Sequence, residues 1–115
     1  MEFDRYTIAL SILRPDAPQL PDADAGALQD AHMAHLADLH EEGHLLAAGP
    51  LLHDTFRGLS ILNVDPDRAR LLKEQDPAVV AGRLSIETMA WLVPSGLVAF
   101  SSGAFRARGR RPAPR

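Results

Sequence analysis

Five histidines crowd one stretch of the 115-residue chain, AHMAHLADLHEEGHLLAAGPLLHD over residues 31–54, which ends on an aspartate. An imidazole titrates near neutrality and can give or take a proton, and a carboxylate on its second nitrogen fixes the tautomer and steadies the cation. His35 is the first candidate for that work. Asp54, which ends the stretch, is the carboxylate that a loop folding back against the helix can bring to it. The competing reading makes His35 a core histidine bonded to backbone and Asp54 a turn residue. His32 precedes His35 by three residues, so on a helix the two share a face about 5–6 Å apart. That is a workable metal pair with Asp54 or His53 as a third ligand, but no tighter pattern such as HExxH accompanies it, and no metal is expected. His40 and His44 fall near the helix end, where an imidazolium complements the negative dipole and stays solvated.

Around this stretch stand further candidates for binding a small molecule. Arg14 and Arg57 flank opposite loops and can each anchor a carboxylate, or else serve as surface charges beside Asp16 and Asp54. Tyr6 and Trp91 each combine an apolar body with one polar handle, which suits a pocket wall or the core. Ser60 and Ser85 have no histidine at useful spacing and no nucleophile-elbow glycines, which sets serine hydrolysis aside. Neither GxGxxG nor GxxxxGK[ST] occurs, so no organic cofactor is expected.

The elements that must position these groups follow from periodicity. Residues 3–13 read as a strand with Tyr6, Ile8, Leu10 and Ile12 on one face and the half-polar set Phe3, Thr7, Ala9 and Leu13 on the other. Pro15, Pro18 and Pro21 mark a loop, and a helix capped by Asp22 or Asp24 runs to about Glu42, with Gly43 as its left-handed stop. Its apolar stripe holds Leu28, Leu36 and Leu39 together with His32 and His35. A second strand over 45–52 is apolar on both faces, and Gly49-Pro50 inside it implies a bulge, an edge position, or both. A third strand spans 57–64. Asp65-Pro66 opens a second helix that packs Ala69, Leu71 and Leu72, and Asp76-Pro77 repeats the cap-and-proline device for a short helical turn that Gly82 ends. A fourth strand covers 84–92. The order β-α-β-β-α-β gives an α+β, ferredoxin-like, four-stranded antiparallel sheet with the helices on one face.

Strands with apolar residues on both faces need a second cover, since the helices bury only one side. Two sheets packed face to face in a homodimer supply it most simply; a C-terminal segment folded over the open face of a monomer is the alternative.

Composition narrows the class. The chain has 46% hydrophobic and 23% charged residues, the profile of one globular domain. It has no cysteine, which excludes a thiol nucleophile and fits a cytoplasmic setting. The N-terminus is a poor signal peptide, and no apolar run approaches the ~20 residues needed to span a bilayer. Residues 1–100 carry 15 acids against 7 Lys+Arg, a balance of −8, while residues 101–115 carry five Arg and no acid. The body, residues 1–94, is thus unsuited to nucleic acid. The Gly/Ser/Arg-rich tail, 95–115, could hold single strands through Arg and Phe, but a solvated end is the plainer reading; Leu97–Phe100 could add an edge strand.

AHLADL (34–39), EEGHLLAAGPL (41–51), RGLSILNVD (57–65) and DPAVVAGRLSIETMAWLVP (76–94) resemble the YCII-related (YciI-like) family. The resemblance covers residues 3–94 and implies a dimeric α+β barrel with a His-Asp pair between helix and sheet; it places that pair at His35 and Asp54. It also implies relatives among isomerases, dehydrochlorinases, monooxygenases and heme-handling proteins. The expected function is proton-transfer chemistry, isomerisation or elimination, on a small organic acid or cyclic compound. A non-catalytic dimeric module that binds a small ligand or regulates another protein is the alternative. His32 and the tail depart from the family pattern.

Overall fold

The computed structural model describes residues 1–101. Seven elements follow in order: β1 (Phe3–Leu13), α1 (Asp22–Glu41), β2 (Leu45–Pro50), β3 (Phe56–Leu62), α2 (Pro66–Lys73), α3 (Pro77–Val80) and β4 (Leu84–Pro94). The four strands form one antiparallel sheet in the order β2-β3-β1-β4, the α+β arrangement the periodicity predicts. β2 lies at an edge, the position that Gly49-Pro50 requires, and its register shifts earlier, between Leu45 and Ala47, while Gly49 and Pro50 themselves pair regularly with Leu59 and Gly58. Among the described residues no helix is long and apolar enough to cross a membrane.

Local chemistry fixes the helix ends. Asp65 accepts from the Arg68 N–H at 2.9 Å and Asp76 from the Ala78 N–H at 2.9 Å, each followed by a proline at the first helical position. Gly43 and Gly82 take φ of 86° and 77°, the left-handed conformation that closes α1 and α3. α1 differs from expectation at its start. Pro21 occupies the cap position without a side-chain bond, and Asp22 and Asp24 sit inside the first turn, where their charge complements the dipole.

The core joins Ala9, Leu36, Leu39, Leu45, Leu62, Ala69 and Ile86, flanked by Met33, Val64, Leu72 and Val79. β1 presents its half-polar face to the helices: Thr7, Ala9 and Ser11 are buried, whereas Tyr6, Ile8, Leu10 and Ile12 are half-buried on the open face. Small side chains let the helices approach closely, and the Thr7 hydroxyl is satisfied by the Val64 carbonyl at 2.5 Å. α2 departs from its expected stripe as well. Ala69 and Lys73, four residues apart, face inward, and Leu71 is exposed. Residues 97–100 add no strand. Phe100 instead meets Tyr6 edge-on, with centroids 5.1 Å apart, so the chain after β4 reaches one end of the open face. The arginines of the tail, and with them its nucleic-acid reading, lie outside the described residues.

Candidate active site

α1 lies across the sheet with α3 at its flank, and this contact brings a carboxylate to a histidine. His32 Nδ1 is 2.5 Å from Asp76 Oδ2. Asp76 is completely buried, and its other oxygen holds the Ala78 N–H. One side chain therefore caps α3 and orients an imidazole 44 residues away in sequence. An ionised carboxylate can only accept, so Nδ1 of His32 carries the hydrogen and Nε2 is the atom left for proton exchange. Burial alone would raise the Asp76 pKa; the hydrogen bonds from His32 and the Ala78 N–H, with the charges of His32 and Lys73, more than offset it and hold the carboxyl below its ordinary value.

His35 sits one turn further along α1 and donates from Nε2 to the Leu72 carbonyl at 3.0 Å. Burial is the main cause that keeps its pKa below the usual imidazole value, reinforced by Lys73 and His32 and opposed by Asp76 and Asp38. Those are the charges that act on it. Asp54 is not among them; it stands exposed in the turn after β2. That turn is built by His53, whose Nδ1 accepts from the N–H groups of Thr55 and Phe56 at 3.1 and 3.0 Å. The pairing of His35 with Asp54 expected from sequence is thus not the one the fold makes: the imidazole with a carboxylate is His32, and the carboxylate is Asp76. The physical reason is position. A loop leaving an edge strand stays at the sheet margin, whereas α3 packs against α1 and its capping residue meets that helix.

A cleft of about 980 Å³ opens beside His32. α1 lines one wall through Leu28, Gln29 and His32, the 17–20 loop lines the rim, and Ser11, Gly58 and Ser60 form the sheet floor. Arg57, Lys73 and Arg83 also line it. Arg83 donates to the Pro18 carbonyl and ties the rim loop down. Lys73 is 1% exposed, and its Nζ donates to Ser60 Oγ at 3.2 Å. Burial pushes its pKa down, and the Asp76 charge pulls it partly back.

The remaining sequence candidates fall in three places. Arg57 lines the cleft. Arg14 is spent on Asp16 outside it, in a two-pronged pair at 2.9 and 3.1 Å. Tyr6 and Trp91 are cross-strand partners with centroids 6.2 Å apart on the open face, across the sheet from His32. His40 bonds the Leu45 carbonyl at 2.9 Å and is half-buried rather than solvated. Among the described residues no three His, Asp or Glu side chains converge as a metal site. Sequence reasoning missed Asp76, Lys73, Ser60 and Arg83. Lys73 had a readable signal, a lysine on the buried stripe of α2 four residues after Ala69.

The sequence pattern of the YCII-related domain matches residues 9–91, and the chain belongs to that family. The solved structure of 5-chloro-2-hydroxyhydroquinone dehydrochlorinase (TftG) from Burkholderia phenoliruptrix AC1100, in complex with 2,5-dihydroxybenzoquinone, shares the fold, with a TM-score of 0.50 and 21% identity over 75% of this chain and 90% of that one. No curated protein matches the sequence.

Proposed function

We propose that this YCII-family chain is an acid/base enzyme that moves a proton on a small organic acid or cyclic compound, with His32 as the exchanging group and Asp76 as its orienting carboxylate. The observation that carries this reading is the 2.5 Å contact between His32 Nδ1 and the fully buried Asp76, with His32 at the wall of a cleft. Nε2 takes a proton from a carbon or hydroxyl of the bound compound, and the electron pair left behind moves into the conjugated system. In an isomerisation the imidazolium returns the proton to another carbon. In an elimination the pair expels a leaving group such as halide, and the proton passes to water. Asp76 stays ionised throughout and stabilises the cation. The dehydrochlorination named for the TftG neighbour is an elimination of this kind.

Asp76→Asn is the informative variant. Its amide keeps the Ala78 cap but turns an N–H toward His32 Nδ1, which must then accept, so the ring proton moves to Nε2 and the base is lost. Hydroxylated aromatic and carbonyl acids, with and without a halide, supply the assay: halide release and deuterium incorporation from D2O are followed by NMR. Wild type should turn over at least one of them, with His32→Gln and Asp76→Asn each slower by about 10²–10⁴-fold. Turnover that survives both substitutions overturns the assignment, and a panel bound without turnover favours a ligand-binding module.

We further propose that the protein is a cytoplasmic homodimer. The open face carries half-buried Ile8, Leu10, Ile12 and Leu59 with Met89 at 41% exposure, an apolar surface of the sort that a second sheet covers. Sedimentation velocity should give twice the 12.5 kDa chain mass, and Leu10→Glu should halve it. A wild-type monomer at micromolar concentration would refute the pairing.

A further inference from the structure

We propose that Lys73 and Ser60 form a seat for a carboxylate of the bound molecule, so that the cleft selects organic anions; this rests on the cleft being the substrate site. Before residue 101 the chain has 15 acids and 7 Lys+Arg, yet three of those seven cations line the cleft and no Asp or Glu does. The clustering runs against the charge of the whole body. Among the three, Arg83 is engaged with the Pro18 carbonyl and Arg57 stands exposed at the mouth. Lys73 is different.

An ammonium has three N–H donors, and in water all three are satisfied. Lys73 is 1% exposed, and among the described residues its Nζ has one hydrogen-bond partner, the neutral hydroxyl of Ser60. The charge of opposite sign that acts on it is that of Asp76, whose oxygens are taken up by His32 and the Ala78 N–H. A buried cation with two donors left over and a wall on the cleft is short of an acceptor, and a carboxylate supplies two acceptor oxygens at once. Ser60 adds to the fit. Its hydroxyl accepts from Lys73 and keeps its own hydrogen, which it can give to the same carboxylate. Both groups line the same cleft as His32, so an anion held there shares that cleft with the imidazole. The seat is a binding device: it positions and selects, and His32 moves the proton.

The test uses benzoate and benzamide, which match in size and differ in charge, titrated into the full chain and followed by the backbone amide shifts of Gly58, Ser60 and Gly49. Benzoate should saturate these shifts at a concentration at least tenfold lower than benzamide. Lys73→Met should weaken benzoate to the benzamide level, with its own amide spectrum reporting that the fold persists, and Ser60→Ala should weaken it several-fold. Equal affinity of the two probes in wild type overturns the seat, and so does the absence of shifts from either. Selective benzoate binding that Lys73→Met leaves intact assigns the anion to Arg57 or Arg83 and also overturns it. None of these readings depends on turnover. An anion that binds through Lys73 without any His32-dependent reaction would leave the seat standing and remove the acid/base proposal instead.

Discussion

Replacing Asp76 with alanine should cost about 3 kcal/mol of folding stability, more than any other single polar substitution in the described fold. Two losses combine. Removing the α3 cap costs about 1 kcal/mol, and removing a buried, charge-assisted hydrogen bond to His32 costs about 1.5–3 kcal/mol. Lys73 makes the loss worse, because the buried ammonium no longer has the Asp76 charge to offset its burial. Against a total of roughly 5–15 kcal/mol for a domain, this lowers the melting temperature by about 10–20 °C. Asp76→Asn should lose less than half as much, since an asparagine oxygen still accepts from the Ala78 N–H. The pH dependence has a definite sign. The folded-state pKa of Asp76 lies below the ordinary 3.8, so its stabilising contribution is fully present above that value and fades as the pH falls through the folded value. The difference between wild type and Asp76→Ala should therefore be large at pH 7 and shrink below pH ~4. Urea titrations at pH 7, 5 and 3 measure it. A difference under 1 kcal/mol at pH 7 would show that Asp76 is a simple cap.

How far the sequence revealed this site depends on the range of each interaction. Asp65-Pro66, Asp76-Pro77, Gly43 and Gly82 act within a few residues of themselves, and each does in the fold what its local chemistry requires. The edge place of β2 was readable for a related reason: a break such as Gly49-Pro50 is tolerated only where the ladder has a free side. The site was half readable. A histidine on an apolar helical stripe signals a buried polar partner, and both His32 and His35 have one. Which partner belongs to which ring is decided by helix packing at a separation of 44 residues for one and 37 for the other, and periodicity holds no information at that distance. Asp76 was also hidden by its second role. A residue already explained as a cap raises no further question, although its second oxygen was still to be satisfied.

Which face of β1 meets the helices was not legible in its alternation. Burial on the helix side follows from how closely a helix can approach, and Thr7, Ala9 and Ser11 permit that approach better than Ile8 and Leu10. The larger apolar residues are displaced to the open face, where they accumulate. A sheet built so has its most hydrophobic surface turned away from its own helices, which is an arrangement suited to a second layer.

A double-mutant cycle separates the two histidines directly. In the cycle of His32→Ala with Asp76→Ala, the lost cap appears in both the single and the double variant and cancels, leaving the interaction between the two side chains. A buried hydrogen bond to an ionised group at 2.5 Å should give a coupling of about 1.5–3 kcal/mol at pH 7. The cycle of His35→Ala with Asp54→Ala should couple by less than ~0.5 kcal/mol, the scatter expected of sites without a shared contact. His35→Ala will still destabilise on its own, because it leaves the Leu72 carbonyl without its donor. The size of the single substitutions is therefore no guide, and only the coupling discriminates. Comparable coupling in both cycles, or a larger value for His35 with Asp54, would return the proton-exchanging role to His35 and leave His32 as a structural prop for α3.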